Sequence, residues 1–318
     1  MLKFKLIIIC YILNVNILYP LEFIGNGAEI FSINGDAQIG AIGGNNPAVL
    51  GISGKIFNNP ALGSLDTNQL ISFTYRNQFS NLVNDHIFSA DIKQVLFNNL
   101  SIGIIYRTIE DIPNTLEAFS LNGDQVLPID YDLITFFDHW ELASIFSISS
   151  NFSKYKIGFN IKSLMYSILN EKAYGIGFDV GVIHNINKSF LLGIVLKNFP
   201  TMHIKWSTGN NEIIVPQLDL GLNYLNNNVS VVSGLQIQNY KINFNSGVKY
   251  NISKDFNIIF GYNRNSSFSM GLGIKKQFFI INYCYINNSK KMPFQSSHEM
   301  TFSFDIEQLN KFSDYISP

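Results

Sequence analysis

Lys172-Ala173-Tyr174-Gly175-Ile176-Gly177-Phe178-Asp179-Val180-Gly181-Val182 changes character at every step. From Tyr174 onward the even positions are aromatic or branched, while the odd ones are Gly175, Gly177, Asp179 and Gly181. Successive side chains of a strand point to opposite faces, so this stretch predicts a strand with one apolar face and one small, polar face. Gln217–Tyr224 repeats the pattern, setting Leu218, Leu220, Leu222 and Tyr224 against Gln217, Asp219, Gly221 and Asn223. Lys241–Tyr250, Phe256–Tyr262, Phe268–Ile274 and Met300–Ile306 follow it too, and no clear helical period interrupts the series.

A soluble sandwich and a membrane barrel both alternate in this way. Composition separates them. Charged residues make up 14% of the 318-residue chain, against roughly 25% in soluble domains, while aromatics also reach 14%. The polar face is mostly small or amide, with Gly, Asn and Ser joined by some Lys and Asp, rather than the Lys- and Glu-rich surface that meets water. No later run matches Leu6–Leu18 in hydrophobicity, which argues against a bundle of membrane helices. A net charge of -1 gives no reason to expect nucleic acid.

The fold class expected is all-β: a transmembrane antiparallel β-barrel of about 14 strands with an N-terminal plug segment. Strands of about ten residues, tilted by roughly 40°, match the apolar band of an outer membrane. Short turns follow the even strands. The long connections, Ile109–Phe137, Phe199–Glu212 and Asn288–Ser296, follow odd ones, as in barrels with short periplasmic turns. Tyr75, Tyr106, Trp140, Tyr166, Tyr250, Tyr262 and Tyr285 fall near strand ends, where aromatic girdles belong.

Ahead of the barrel, Lys3 and Lys5 precede an apolar run, the layout of a signal peptide. The organisation predicted is signal peptide 1–20, plug 21–67, barrel 68–306 and C-terminal tail 307–318. With Cys10 in the signal, Cys284 remains alone and reads as strand packing.

The plug carries one phrase twice: Asn45-Asn46-Pro47-Ala48-Val49-Leu50-Gly51 and Asn58-Asn59-Pro60-Ala61-Leu62-Gly63. Asn before Pro suits the start of a short helical turn, because Asn accepts an orphan N–H and Pro has none to lose. On Asn59-Pro60-Ala61-Leu62 and the Gly- and Ala-rich stretch 35–44, the chain resembles the PorV/PorQ family within the FadL-like outer-membrane barrels. Gly177-Phe178-Asp179-Val180-Gly181-Val182 and the closing strand after Ser297-His298 extend the resemblance. It implies a roughly fourteen-stranded barrel with a plugged lumen. It also implies transport or type IX-like protein secretion across the outer membrane, or, for FadL-like members, passage of hydrophobic molecules; a purely structural or adhesive barrel is the third class.

Site expectations follow. Asn46, Pro47, Asn59 and Pro60 either cap turns of a fixed plug or form a hatch. Alternation directs Arg76, Asp91, Lys93, Arg107, Lys156, Lys162, Asp179, Asp219, Lys249 and Asp305 into the lumen, where mixed signs suit pairing. An apolar pocket for a hydrophobic solute would draw on Ile105, Ile145 and Leu164. No catalytic residue is assigned: Asp85-His86 and Asp138-His139 are neighbours on strands, so each pair faces two ways. Lys55 reads as a solvated turn residue, and the histidines have no ligand spacing. No cofactor and no metal are expected. The partners expected are outer-membrane lipid and either secreted proteins or hydrophobic small molecules, at the cell outer membrane.

Overall fold

The computed structural model describes residues 29–65, 68–79, 81–95, 98–118, 121–122, 125–126, 129–263, 266–288 and 296–316. The signal-peptide reading and the side chain of Lys93 lie outside the described residues. The strands are β1 (Leu70–Gln78), β2 (Val83–Val95), β3 (Asn98–Asn114), β4 (Leu121–Asn122), β5 (Gln125–Val126), β6 (Thr135–Phe152), β7 (Tyr155–Ile168), β8 (Glu171–Asn185) and β9 (Phe190–Lys197). They continue as β10 (Met202–Trp206), β11 (Asn211–Ile214), β12 (Gln217–Asn226), β13 (Val229–Gln238), β14 (Lys241–Asn251), β15 (Phe256–Asn263), β16 (Ser266–Lys276), β17 (Phe279–Asn288) and β18 (Ser297–Asp305).

Neighbouring strands pair antiparallel in sequence order, and β1 pairs with β18 from Leu70↔Asp305 to Asn77↔His298. β8 pairs with β9 over its second half and with β10 over its first, so β9 and β10 are two parts of one wall strand. β11 and β12 form the next wall strand, broken at Val215-Pro216. The result is a closed 14-strand antiparallel barrel.

Its faces are inverted relative to a soluble protein. On β18 the buried residues are Ser297, Glu299, Thr301, Ser303 and Asp305, while Met300, Phe302 and Phe304 are exposed. On β1, Ser72 and Thr74 are buried between exposed Ile71, Phe73 and Tyr75. Apolar side chains outward and polar ones inward suit a wall that meets lipid. The protein is an outer-membrane β-barrel.

The space inside is filled by the chain itself. The segment from Glu29 to Leu65 is four short turns: the 3-10 turns Glu29–Ser32 and Pro60–Ser64 and the helices Ala37–Ala41 and Lys55–Asn58. One apolar cluster joins its Ile30, Phe31 and Phe57 to the wall residues Ile105, Ile145 and Leu164. A second joins Ala37, Ile39 and Ile52 to Ile183, Val232 and Ile259. The core therefore lies between the inner segment and the wall, and each buried Ile or Phe contributes about 1.5–3 kcal/mol.

Four expectations are corrected. Phe199–Glu212 is no loop: Met202–Trp206 and Asn211–Ile214 form the β10–β11 hairpin, held back to β8 through His203↔Ile176. Ile109–Phe137 is shortened as a loop, because β3 and β6 stay paired out to Asn114↔Thr135. Tyr166 belongs to no outer girdle: it is 6% exposed and packs inside the barrel. Lys55 is 2% exposed rather than solvated, with its Nζ 3.2 Å from Asp91 Oδ2.

Candidate functional site

The two copies of the Asn-Pro-Ala phrase fold alike. Asn46 Oδ1 accepts the Ala48 N–H at 3.0 Å, and Asn59 Oδ1 accepts the Ala61 N–H at 2.9 Å. Asp36 does the same for Gln38 at 2.9 Å, so three capped turns follow one another along the inner segment. The copies are also tied together: Asn59 Nδ2 donates to Pro47 O at 2.9 Å and Asn58 Nδ2 donates to Asn46 O.

Each copy rests on a pair of glycines in the wall. Gly158 faces Gly181 across β7 and β8, and Gly193 faces Gly221 across β9 and β12. A Cβ on Gly181 would stand 2.0 Å from Asn59 Oδ1, and one on Gly158 would stand 2.3 Å from the Pro60 carbonyl carbon. The first copy repeats this arrangement: Gly221 lies under Asn46 Oδ1, with 2.4 Å left for a Cβ, and Gly193 lies under Pro47 O, with 2.3 Å. The glycines of the alternating strands are thus the seat on which the inner segment's backbone lies.

Wall asparagines close the remaining backbone groups. Asn160 Nδ2 donates to Ile56 O at 3.0 Å, Asn223 Nδ2 to Ala48 O at 3.0 Å, and Asn245 Nδ2 to Asn45 O at 2.7 Å. Asn263 Nδ2 reaches Gly43 O at 2.8 Å and Asn99 Nδ2 reaches Gly63 O at 3.0 Å. A loop buried without such donors would carry unsatisfied carbonyls. This accounts for amide rather than charged residues on the inner face.

Six of the charged residues assigned to the interior, Arg76, Asp91, Arg107, Lys162, Asp179 and Asp219, stand in ion pairs. Lys162 Nζ lies 2.6 Å from Asp179 Oδ1, donates to Asn198 Oδ1 at 2.6 Å, and sits 4.4 Å above the Phe31 ring. Lys197 is 3.2 Å from Asp219, Arg107 is 2.7 Å from Asp85, and Arg76 Nε is 2.9 Å from Glu299. Lys249 donates to Gln38 Oε1 at 2.6 Å, and Lys156 donates to Asn151 Oδ1 at 2.9 Å near its turn. Asp305 Oδ1 accepts the Gln308 N–H at 3.2 Å, at the start of the helix Ile306–Ile316. Lys55–Asp91 and Lys249–Gln38 join the inner segment to the wall.

Ile105, Ile145 and Leu164 do come together, but with the inner segment's Ile30 and Phe31 packed among them rather than around an empty pocket. The open space lies above, toward the long connections. It is a cavity of about 450 Å3, lined by Ile33, Arg76, His139, Glu141, Tyr166 and Trp206 among others. Tyr166 and Trp206 stack with centroids 6.1 Å apart and planes within 6°, and His139 stacks on the other side of Tyr166 at 6.1 Å. Glu141 Oε1 pairs with His139 Nε2 at 3.0 Å. Asp85 and His86 face two ways: Asp85 is fully buried against Arg107, while His86 packs outside beside Tyr75 and Tyr106. Asp138 likewise turns away from the cavity to accept the Asp111 N–H at 3.1 Å. His139, Glu141 and Trp206 were not singled out as site residues, and their convergence from β6 and β10 has no local sequence signal.

No family model and no curated protein matches the sequence. Solved structures do match. The toluene transporter TodX of P. putida superposes with a TM-score of 0.56 at 11% identity, over 78% of this chain and 92% of that one. The fold is that of the FadL-type channels. CymD, a monoaromatic hydrocarbon channel, gives a TM-score of 0.55 at 10% identity, over 86% of this chain and 96% of that one. A Pseudomonas aeruginosa FadL homologue gives 0.54 at 9% identity, over 86% and 99%. The PorV/PorQ resemblance therefore rests on the quoted residues alone.

Proposed function

We propose that this barrel is an outer-membrane uptake channel for small hydrophobic or amphipathic molecules, with Glu29–Leu65 acting as a plug that closes the lumen to water and ions. The observation that carries this reading is the cavity of about 450 Å3 at the long-connection end, whose lining includes Ile33 and Tyr166 of the buried apolar cluster. Its size falls within the usual range for small-molecule sites, and its wall sets apolar and aromatic side chains such as Ile33, Tyr166 and Trp206 beside charged ones such as Arg76, Glu141 and Glu212, a lining suited to a molecule with both characters. The fold's likeness to TodX and CymD, a toluene transporter and a monoaromatic hydrocarbon channel, supports transport over catalysis and over secretion. On this reading Asn46, Pro47, Asn59 and Pro60 hold a seated stopper, and Lys55–Asp91, Lys249–Gln38 and the wall asparagines fasten it to the wall. Uptake of radiolabelled toluene by cells with and without the protein in their outer membrane tests the proposal. Faster entry in the producing cells is the result expected; equal rates would contradict it.

A further inference from the structure

The cavity holds an acceptor with nothing to accept from. Glu141 is 8% exposed and lines the cavity, and its Oε2 has no hydrogen-bond partner among the described residues. Oε1 is taken by His139, so Oε2, itself covered in this structure, is the oxygen left for a visitor once the side chain turns to the cavity that Glu141 lines. A buried carboxylate oxygen without a donor is costly, and a donor group from a ligand would recover that cost. The two guanidinium groups in the lining do not offer the reverse chemistry. Arg76 is committed to Glu299 at 2.9 Å, and Arg107, opposite Glu141 in register, turns to Asp85 at 2.7 Å. Glu212, also in the lining, adds a second carboxylate. Beside Glu141 stands the stacked pair Tyr166 and Trp206, and a cation over such rings gains further attraction.

Resting on the channel reading above, we infer that the cavity selects amphiphiles that carry an amine beside a flat apolar group, with Glu141 Oε2 accepting from the ammonium and Tyr166–Trp206 flanking the apolar part. A carboxylate-headed ligand brings only acceptors and would face Glu141 without a donor between them. A plain hydrocarbon leaves the oxygen unpaired.

Isothermal titration of the full-length protein in detergent, with three matched probes, tests this: 2-phenylethylamine, 3-phenylpropionate and ethylbenzene. The amine is expected to bind at least about tenfold tighter than either of the others, and Glu141→Gln to remove that preference while the barrel stays heat-modifiable. Trp206→Leu, on the half-buried end of β10, should weaken the amine more than ethylbenzene. Carboxylate binding as tight as the amine overturns the inference, as does an amine preference that survives Glu141→Gln. Failure of all three probes to bind overturns it as well. Ethylbenzene binding as tightly as the amine overturns it too, while leaving hydrophobic uptake itself standing on the toluene measurement.

Discussion

Asn59 Oδ1 sits so close to the backbone of Gly181 that a Cβ there would stand 2.0 Å from it. Nothing bulkier than hydrogen fits between the second Asn-Pro-Ala turn and β8. Gly181→Val and its counterpart Gly221→Val should therefore lift the inner segment from the wall rather than be absorbed. Overpacking of this kind costs about 1–3 kcal/mol. Limited proteolysis should cut the segment between Asn45 and Gly63 in both variants and spare the parent; equal protection would show that the seat yields.

Asn223, two residues beyond the Gly221 seat on β12, supplies Ala48 O with its donor. Asn223→Ala should leave that carbonyl buried and unpaired, at a cost of about 1–3 kcal/mol. The measurement is the urea midpoint of the folded barrel in vesicles. A midpoint unchanged from the parent would mean that water replaces the amide.

The Lys162–Asp179 pair is almost wholly buried, with side chains 1% and 5% exposed. Removing one partner strands the other charge, and Lys162→Met alone should cost about 3–5 kcal/mol. The double variant Lys162→Met with Asp179→Leu should recover much of that loss, because no charge is left behind. A double variant as unstable as the sum of the two singles would refute the pairing.

On β15 the outward Phe260 is 56% exposed, whereas Asn257 lies on the opposite face, near Gly273 of β16. A lysine facing lipid costs about 2–4 kcal/mol at the midplane and much less in a polar interior. Phe260→Lys should reduce the heat-modifiable, assembled fraction far more than Asn257→Lys does. Equal fractions would contradict the assignment of faces.

Much of this architecture is legible in the strands themselves. The alternation in Lys172–Val182 and Met300–Ile306 assigns faces because apolar residues turn to lipid and small or polar ones to the interior along those two stretches. It fails at β10, where Met202 and Ile204 are buried while His203 and Lys205 are exposed. There the outward residues are polar, and Pro200, Gly209 and Pro216 imitate loop punctuation. The capped turns of the inner segment are local chemistry and can be read from Asn-Pro. Their seats cannot, because pairing Gly181 with Gly158 or Gly221 with Gly193 depends on register. The cavity is less legible still: Glu141 and Trp206 lie far apart in sequence and meet only once β10 folds back onto β8.

The claim that the inner segment closes the lumen is tested most directly by the ionic conductance of single molecules in planar bilayers, comparing the full-length protein with a variant lacking Asn45–Gly63 whose barrel remains heat-modifiable. The intact protein should hold no steady open pore, and the deletion should conduct. The same conductance from both would contradict the account.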